Sequence, residues 1–287
     1  MSVAPQLRDE HFFDSAGVRI RYVDRGAGEP VVLVHSFAGD LEDQWEKTGI
    51  LNALARFYRV VAFDARGHGG SGKPHDPQAY GAEMAWDAVR LMDHLAITRA
   101  HIIGYSMGAH IVAQLLTLAL DRFVTATLGG ASGRRDWTAE DDRRAETEAG
   151  EMERGSLESQ MLRLWPPGNP SRPVPLPDAA QIEERSAAFL AGKDCRALAA
   201  VRRSNKAQVV TAAQLAAVRV PVLGIVGSAD PYRAGFEALN KVMPQLKVVV
   251  LDGAIHASAP SHTGFVPALL GFLRLHPANR KEIATPS

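Results

Sequence analysis

The chain has 287 residues, 46% of them hydrophobic and 22% charged. That balance suits a folded domain and excludes a wholly disordered chain. Lys plus Arg number 32, as do Asp plus Glu. Without a basic excess to neutralise phosphates, no nucleic-acid partner is expected. The single cysteine, Cys195, excludes an internal disulfide and argues against a cysteine-based zinc site.

The opening MSVAPQLRDEHFF shows no apolar run behind a basic start, so no secretory leader is expected. The most apolar stretch, Ile111–Leu120, contains Gln114 and Thr117 and falls well short of the ~20 residues a bilayer span requires. These features predict a cytoplasmic protein with no membrane partner.

In chain order, Val18–Val23 alternates apolar and polar residues, as a half-buried strand does. Val31–Val34 (VVLV) and Val60–Phe63 (VVAF) are short apolar strands on either side of a helix at Ile50–Phe57. A helix at Glu83–Leu95, a strand at His101–Ile103, a helix at Met107–Leu120 and a strand at Val124–Leu128 follow. Later come a strand at Val222–Val226 (VLGIV), a helix at Gly235–Met243, a strand at Lys247–Leu251 and a helix at Phe265–Leu275. Apolar strands alternating with helices predict an α/β fold: a mostly parallel central sheet, buried on both faces.

Between Gly133 and Thr211 the alternation stops. Arg134–Arg154 carries charges of both signs and reads as a solvated helical face. Pro166, Pro167, Pro170, Pro173, Pro175 and Pro177 rule out a helix interior. Ala179–Leu190 and Ala197–Lys206 are helical again. The chain thus divides into a core of residues 1–132 and 212–287 and a mainly helical insertion at 133–211.

The sharpest chemical signal is Gly104-Tyr105-Ser106-Met107-Gly108, set between a strand and an apolar helix. So tight a turn crowds the backbone, requires glycine two residues to either side, and presents the Ser106 hydroxyl at a helix N-terminus. A serine nucleophile needs a base, and the base an orienting carboxylate. His256 lies in a loop past the last strand, whereas the nearby His262 starts the following helix. Asp230, in Gly227-Ser228-Ala229-Asp230-Pro231, follows the strand Val222–Val226 directly. Its rival Asp252, four residues before His256, reads as structural. Ser106, Asp230 and His256 give the chain order Ser…Asp…His.

With these residues in place the chain resembles the α/β-hydrolase fold superfamily, of the serine esterase-like kind with a helical cap between the sixth and seventh strands. Asp64-Ala65-Arg66-Gly67-His68-Gly69-Gly70-Ser71 matches the family's D-x-R-G-x-G-x-S segment, and Leu215–Asp230 its approach to the triad acid. His35-Ser36-Phe37-Ala38-Gly39 resembles its H-G-φ-x-G loop. The resemblance implies an oxyanion hole of the Phe37 and Met107 backbone N–H groups. Ser36 departs from the family's glycine, and a left-handed backbone there would suit serine poorly.

Gly67–Gly72 also fits G-x-G-x-x-G, but Pro74 and Pro77 prevent the helix a dinucleotide site needs. No cofactor is expected, and the histidines show no metal-ligand spacing. Ser36, Tyr105, Trp137 and Trp165 are candidate pocket residues, with Trp45 a further aromatic. The expected function is hydrolysis of a carboxylic ester of a small or medium neutral substrate. Alternatives on the same triad are a lactone, a C–C bond beside a ketone, or acyl transfer to peroxide; a non-catalytic receptor is another. Serine rather than aspartate at the nucleophile position separates the chain from haloalkane dehalogenases and epoxide hydrolases.

Overall fold

The computed structural model describes residues 10–134, 136–165 and 175–278. The described strands are β1 (His11–Ser15), β2 (Val18–Arg25), β3 (Pro30–Val34), β4 (Arg59–Phe63), β5 (Ala100–Tyr105), β6 (Phe123–Gly129), β7 (Val222–Gly227) and β8 (Leu246–Leu251). They form one sheet in the order β1-β2-β4-β3-β5-β6-β7-β8. The β1–β2 and β2–β4 pairs are antiparallel and the remaining pairs parallel.

The α-helices are α1 (Ile50–Ala55), α2 (Ala82–His94), α3 (Met107–Leu118), α4 (Ala139–Glu153), α5 (Glu158–Arg163), α6 (Ala179–Leu190), α7 (Cys195–Arg203), α8 (Ala212–Ala216), α9 (Arg233–Asn240) and α10 (Phe265–Leu275). The central strands read as unbroken apolar runs because helices cover both faces. Val32 and Val34 of β3 join one core cluster with Met84 and Leu91 of α2 and Ile111 of α3. Val31 and Leu33 join a second with Leu51 and Leu54 of α1 and Phe265 and Leu269 of α10. The period of two along a strand assigns alternate residues to opposite faces.

Helices α4 to α7 fall between β6 and β7 and build a small core of their own from Ala149, Met152, Leu157, Leu190, Leu198 and Ala199. Ala38 belongs to this cluster and Phe37 packs against it, so the insertion rests on the loop after β3. Thr138 and Asp178 cap α4 and α6, each with a reciprocal bond to the third residue of its helix. Of the proline cluster, Pro166, Pro167, Pro170 and Pro173 lie outside the described residues; Pro175 and Pro177 sit in irregular chain before α6. Arg134 is not helical. It forms an isolated parallel bridge with Val209, and α4 begins only at Ala139.

Candidate active site

Ser106 stands between the end of β5 and the start of α3 with φ 54°. A positive φ is strained for a residue with a side chain. The neighbours explain how the turn closes. A Cβ on Gly104 would lie 2.1 Å from the Gly108 carbonyl oxygen, and one on Gly108 only 2.0 Å from that of Val34. The Ser106 N–H donates to the Gly129 carbonyl at 2.7 Å, fixing the turn to the end of β6.

Two loops at the same sheet edge reach this serine. Asp230 follows β7 and His256 follows β8. The His256 Nε2 lies 2.9 Å from Ser106 Oγ, and its Nδ1 2.8 Å from Asp230 Oδ2. In the tautomer that satisfies both contacts, Nδ1–H donates to the carboxylate and Nε2 accepts from the hydroxyl. Asp230 is buried, and its other oxygen accepts from the Tyr232 N–H at 2.9 Å. His262 turns away: its Nδ1 accepts from the Gly264 N–H. Asp252 is exposed and meets only the Ser228 hydroxyl, at 3.4 Å.

The Met107 N–H opens α3 and has no acceptor among the described residues, nor has that of Phe37. The left-handed residue in the loop after β3 is Ala38, at φ 55°, not Ser36. The conformational conflict expected at Ser36 therefore does not arise. Buried His35 holds this loop: its Nε2 accepts from Ala65 N–H at 2.9 Å and its Nδ1 donates to the Ser36 carbonyl at 2.7 Å. Asp64 secures the neighbouring loop, accepting from Leu41 N–H, Gly70 N–H and Arg21. No helix opens within Gly67–Gly72; Gly69, Gly70 and Ser71 instead fold around Asp64.

Tyr105 corrects a sequence expectation. It is buried in the core with its hydroxyl donating to the His256 carbonyl at 2.5 Å, so it braces the histidine loop rather than lining a pocket. Burial pushes its phenol well above the ordinary range, which keeps the donor protonated. Trp45 is likewise a core residue. Trp137 donates to Asp142 and lies beneath Arg134; Trp165, just past α5, lies beneath Arg185. One neighbour escaped the sequence: the Tyr232 ring packs edge-on against His256 at 5.3 Å. Its place two residues after Asp230 was the available signal. Among the described residues, no group of three or more His, Cys, Asp or Glu is placed to hold a metal ion, and no helix is long and apolar enough to cross a membrane.

The model of the alpha/beta hydrolase fold family matches residues 29–153. A solved hydrolase from Pseudomonas aeruginosa superposes with a TM-score of 0.74 at 25% identity, covering 93% of this chain and 99% of that one. The chain has the fold of the α/β-hydrolase superfamily. Curated relatives match over shorter stretches. The dihydrolipoyllysine-residue acetyltransferase component of the acetoin cleaving system of Cupriavidus necator is 41% identical over 121 residues, which is 41% of this chain and 30% of that protein. The non-heme haloperoxidase of Rhodococcus erythropolis is 35% identical over 121 residues, 41% of this chain and 42% of that one. The chain thus spans less than half the length of these curated relatives.

Proposed function

We propose that this α/β-hydrolase cleaves carboxylic esters with Ser106 as nucleophile, His256 as base and Asp230 as its orienting carboxylate. The observation that carries the reading is the unbroken relay of contacts from hydroxyl to imidazole to buried carboxylate, at 2.9 and 2.8 Å. Ser106 Oγ attacks the ester carbonyl while His256 takes its proton. Asp230 holds the imidazole in the working tautomer and stabilises its cation. The Met107 and Phe37 N–H groups receive the oxyanion. His256 then protonates the departing alcohol and activates the water that releases the acid. In this reading residues 133–211 form a cap over the site, and the rest of the chain is the catalytic core.

The test is Ser106→Ala, assayed on a panel of simple esters graded in acyl length. The expected loss in kcat is ~10⁴-fold or more with the fold intact, because triad members act as a unit. Near-normal turnover by a folded Ser106→Ala protein would overturn the assignment, and binding without turnover by the wild type would favour a receptor. The haloperoxidase relative favours one second reading, in which peroxide rather than water accepts the acyl group. Adding peroxide during ester turnover separates the two, since perhydrolysis diverts product to a peracid.

A further inference from the structure

The insertion and the chain leading into it bring three arginines together beside Ser106. Arg202, on α7, holds its guanidinium carbon 4.2 Å from the centre of the Phe37 ring. Arg163, at the end of α5, donates to the Tyr232 hydroxyl, and Tyr232 packs on His256. Arg134 follows β6, the strand whose Gly129 carbonyl holds the Ser106 N–H. His110 joins these observations. It lies one turn along α3 from Ser106, on the same helix face. Burial first, then Arg134, Arg163, Arg202 and His256, hold its imidazole well below the ordinary range. The three arginines and His256 thus act on one neutral ring, whose buried Nδ1 has no hydrogen-bond partner among the described residues.

The charges do not balance. Glu148, only 2% exposed, pairs with Arg163 at 2.8 Å and Arg202 at 3.0 Å. Arg134 has no carboxylate partner among the described residues, and its buried Nε has no acceptor. Burial and then Arg202 bring its pKa down to about 10, which still leaves it charged at neutral pH. Arg134 is half-buried, and a cation drawn away from water without a counter-ion is costly to keep. A guanidinium is also the side chain best shaped to grip a carboxylate through two parallel bonds. One carboxylate among three guanidiniums leaves positive charge in excess, and the Trp137 ring beneath Arg134 is no counter-ion, so an anionic substrate group suits the cluster.

We propose that the substrate carries a carboxylate of its own, bound by Arg134 with Arg202 beside it, while Ser106 attacks an ester or lactone carbonyl further along the same molecule. This rests on the hydrolase reading and moves its substrate class from neutral to acidic.

The test compares monomethyl esters of the straight-chain diacids, from succinate to suberate, each with its own dimethyl ester. The monoacid is expected to show a kcat/KM at least about 10-fold higher at the chain length that fits. In Arg134→Met that ratio collapses to about 2-fold or less, and Arg134→Lys retains part of it. Equal kcat/KM for both members of every pair in the wild type would overturn the proposal without any variant. So would a ratio unchanged in folded Arg134→Met. Calorimetric binding to Ser106→Ala of each free diacid, against its diamide, separates this proposal from the hydrolase reading. Selective diacid binding without ester turnover by the wild type would sink the hydrolase reading and keep the anion site. Dimethyl ester turnover with neither diacid binding nor monoacid preference would do the reverse.

Discussion

A serine held at φ 54° between two glycines is a strained conformation, and here the surrounding backbone fixes it from three sides. Gly108 is the tightest point. Its substitution by alanine drives a methyl into the Val34 carbonyl, in a core with no slack on that side. Overpacking of this kind destabilises by ~1–3 kcal/mol, and Gly108→Ala is expected at the upper end in urea unfolding. A cost under about 0.5 kcal/mol would mean that the turn relaxes easily. The two histidines of the last loop give a sharper contrast. His256→Ala is expected to abolish turnover about as completely as Ser106→Ala, and His262→Ala to change kcat less than about 3-fold. The opposite ranking in proteins of equal stability would show that the wrong base was chosen. His68 supplies a test by pH. It is buried with its Nδ1–H donating to the Arg66 carbonyl, and burial followed by the neighbouring His35 lowers its pKa from 6.5 to about 3. Folding thus favours the neutral ring. That contribution is fully present above 6.5 and is lost as pH falls toward 3, by up to ~1.4 kcal/mol per pH unit. Comparing unfolding free energies at about pH 7.5 and about pH 4.5, His68→Gln should show a smaller fall than the wild type. An equal fall would remove His68 from the cause.

The meeting of Ser106, Asp230 and His256 was legible because elements position them: each lies in the turn or loop after a strand, and parallel strands bring their C-terminal ends to one edge. The parallel strands were legible for a related reason, since burial on both faces leaves only apolar side chains. β1 was not: His11–Ser15 is short, lies at the sheet edge and alternates exposed with buried residues. The stretch from Arg134 to Arg154 misled more seriously. Its mixed charges read as a solvated face, yet Ala145, Glu148, Ala149 and Met152 are buried. Buried ion pairing between distant helices has no local signature, so Glu148 with Arg163 and Arg202 was invisible in the sequence. At the same scale, Tyr105 links the end of β5 to the loop after β8 through one hydroxyl. Tyr105→Phe leaves the buried His256 carbonyl without its donor, which costs ~1–3 kcal/mol. If the loop loosens, kcat is expected to fall several-fold while the thermal midpoint drops by a few degrees. A kcat unchanged at equal occupancy of the folded state would show that the histidine is positioned without Tyr105.

Across the whole molecule, two of the contacts between the insertion and the core bear on the candidate site in different ways, and they should respond differently. Trp165 lies two residues past Arg163, the last residue of α5, which reaches Tyr232 and through it His256. On the ester reading, with Trp165 lining the acyl pocket, shortening it to alanine alters that space and leaves the Ser106 backbone alone. Trp165→Ala is therefore expected to shift acyl-length preference by ~1–3 kcal/mol, while labelling of Ser106 by a small organophosphonate stays within about 3-fold. Leu198 sits instead in the insertion's own core, the cluster that includes Ala38 and supports Phe37. Leu198→Ala leaves a cavity beneath the loop that carries the proposed oxyanion donor, Phe37, and a donor lost there is worth ~10²–10³ in rate. Partial loosening should slow both phosphonate labelling and turnover of every ester together, with little change in relative preference. The pair of variants thus separates choosing a substrate from stabilising its transition state. If Trp165→Ala abolished labelling in folded protein, or Leu198→Ala shifted preference and left labelling intact, the two contacts would have the opposite roles.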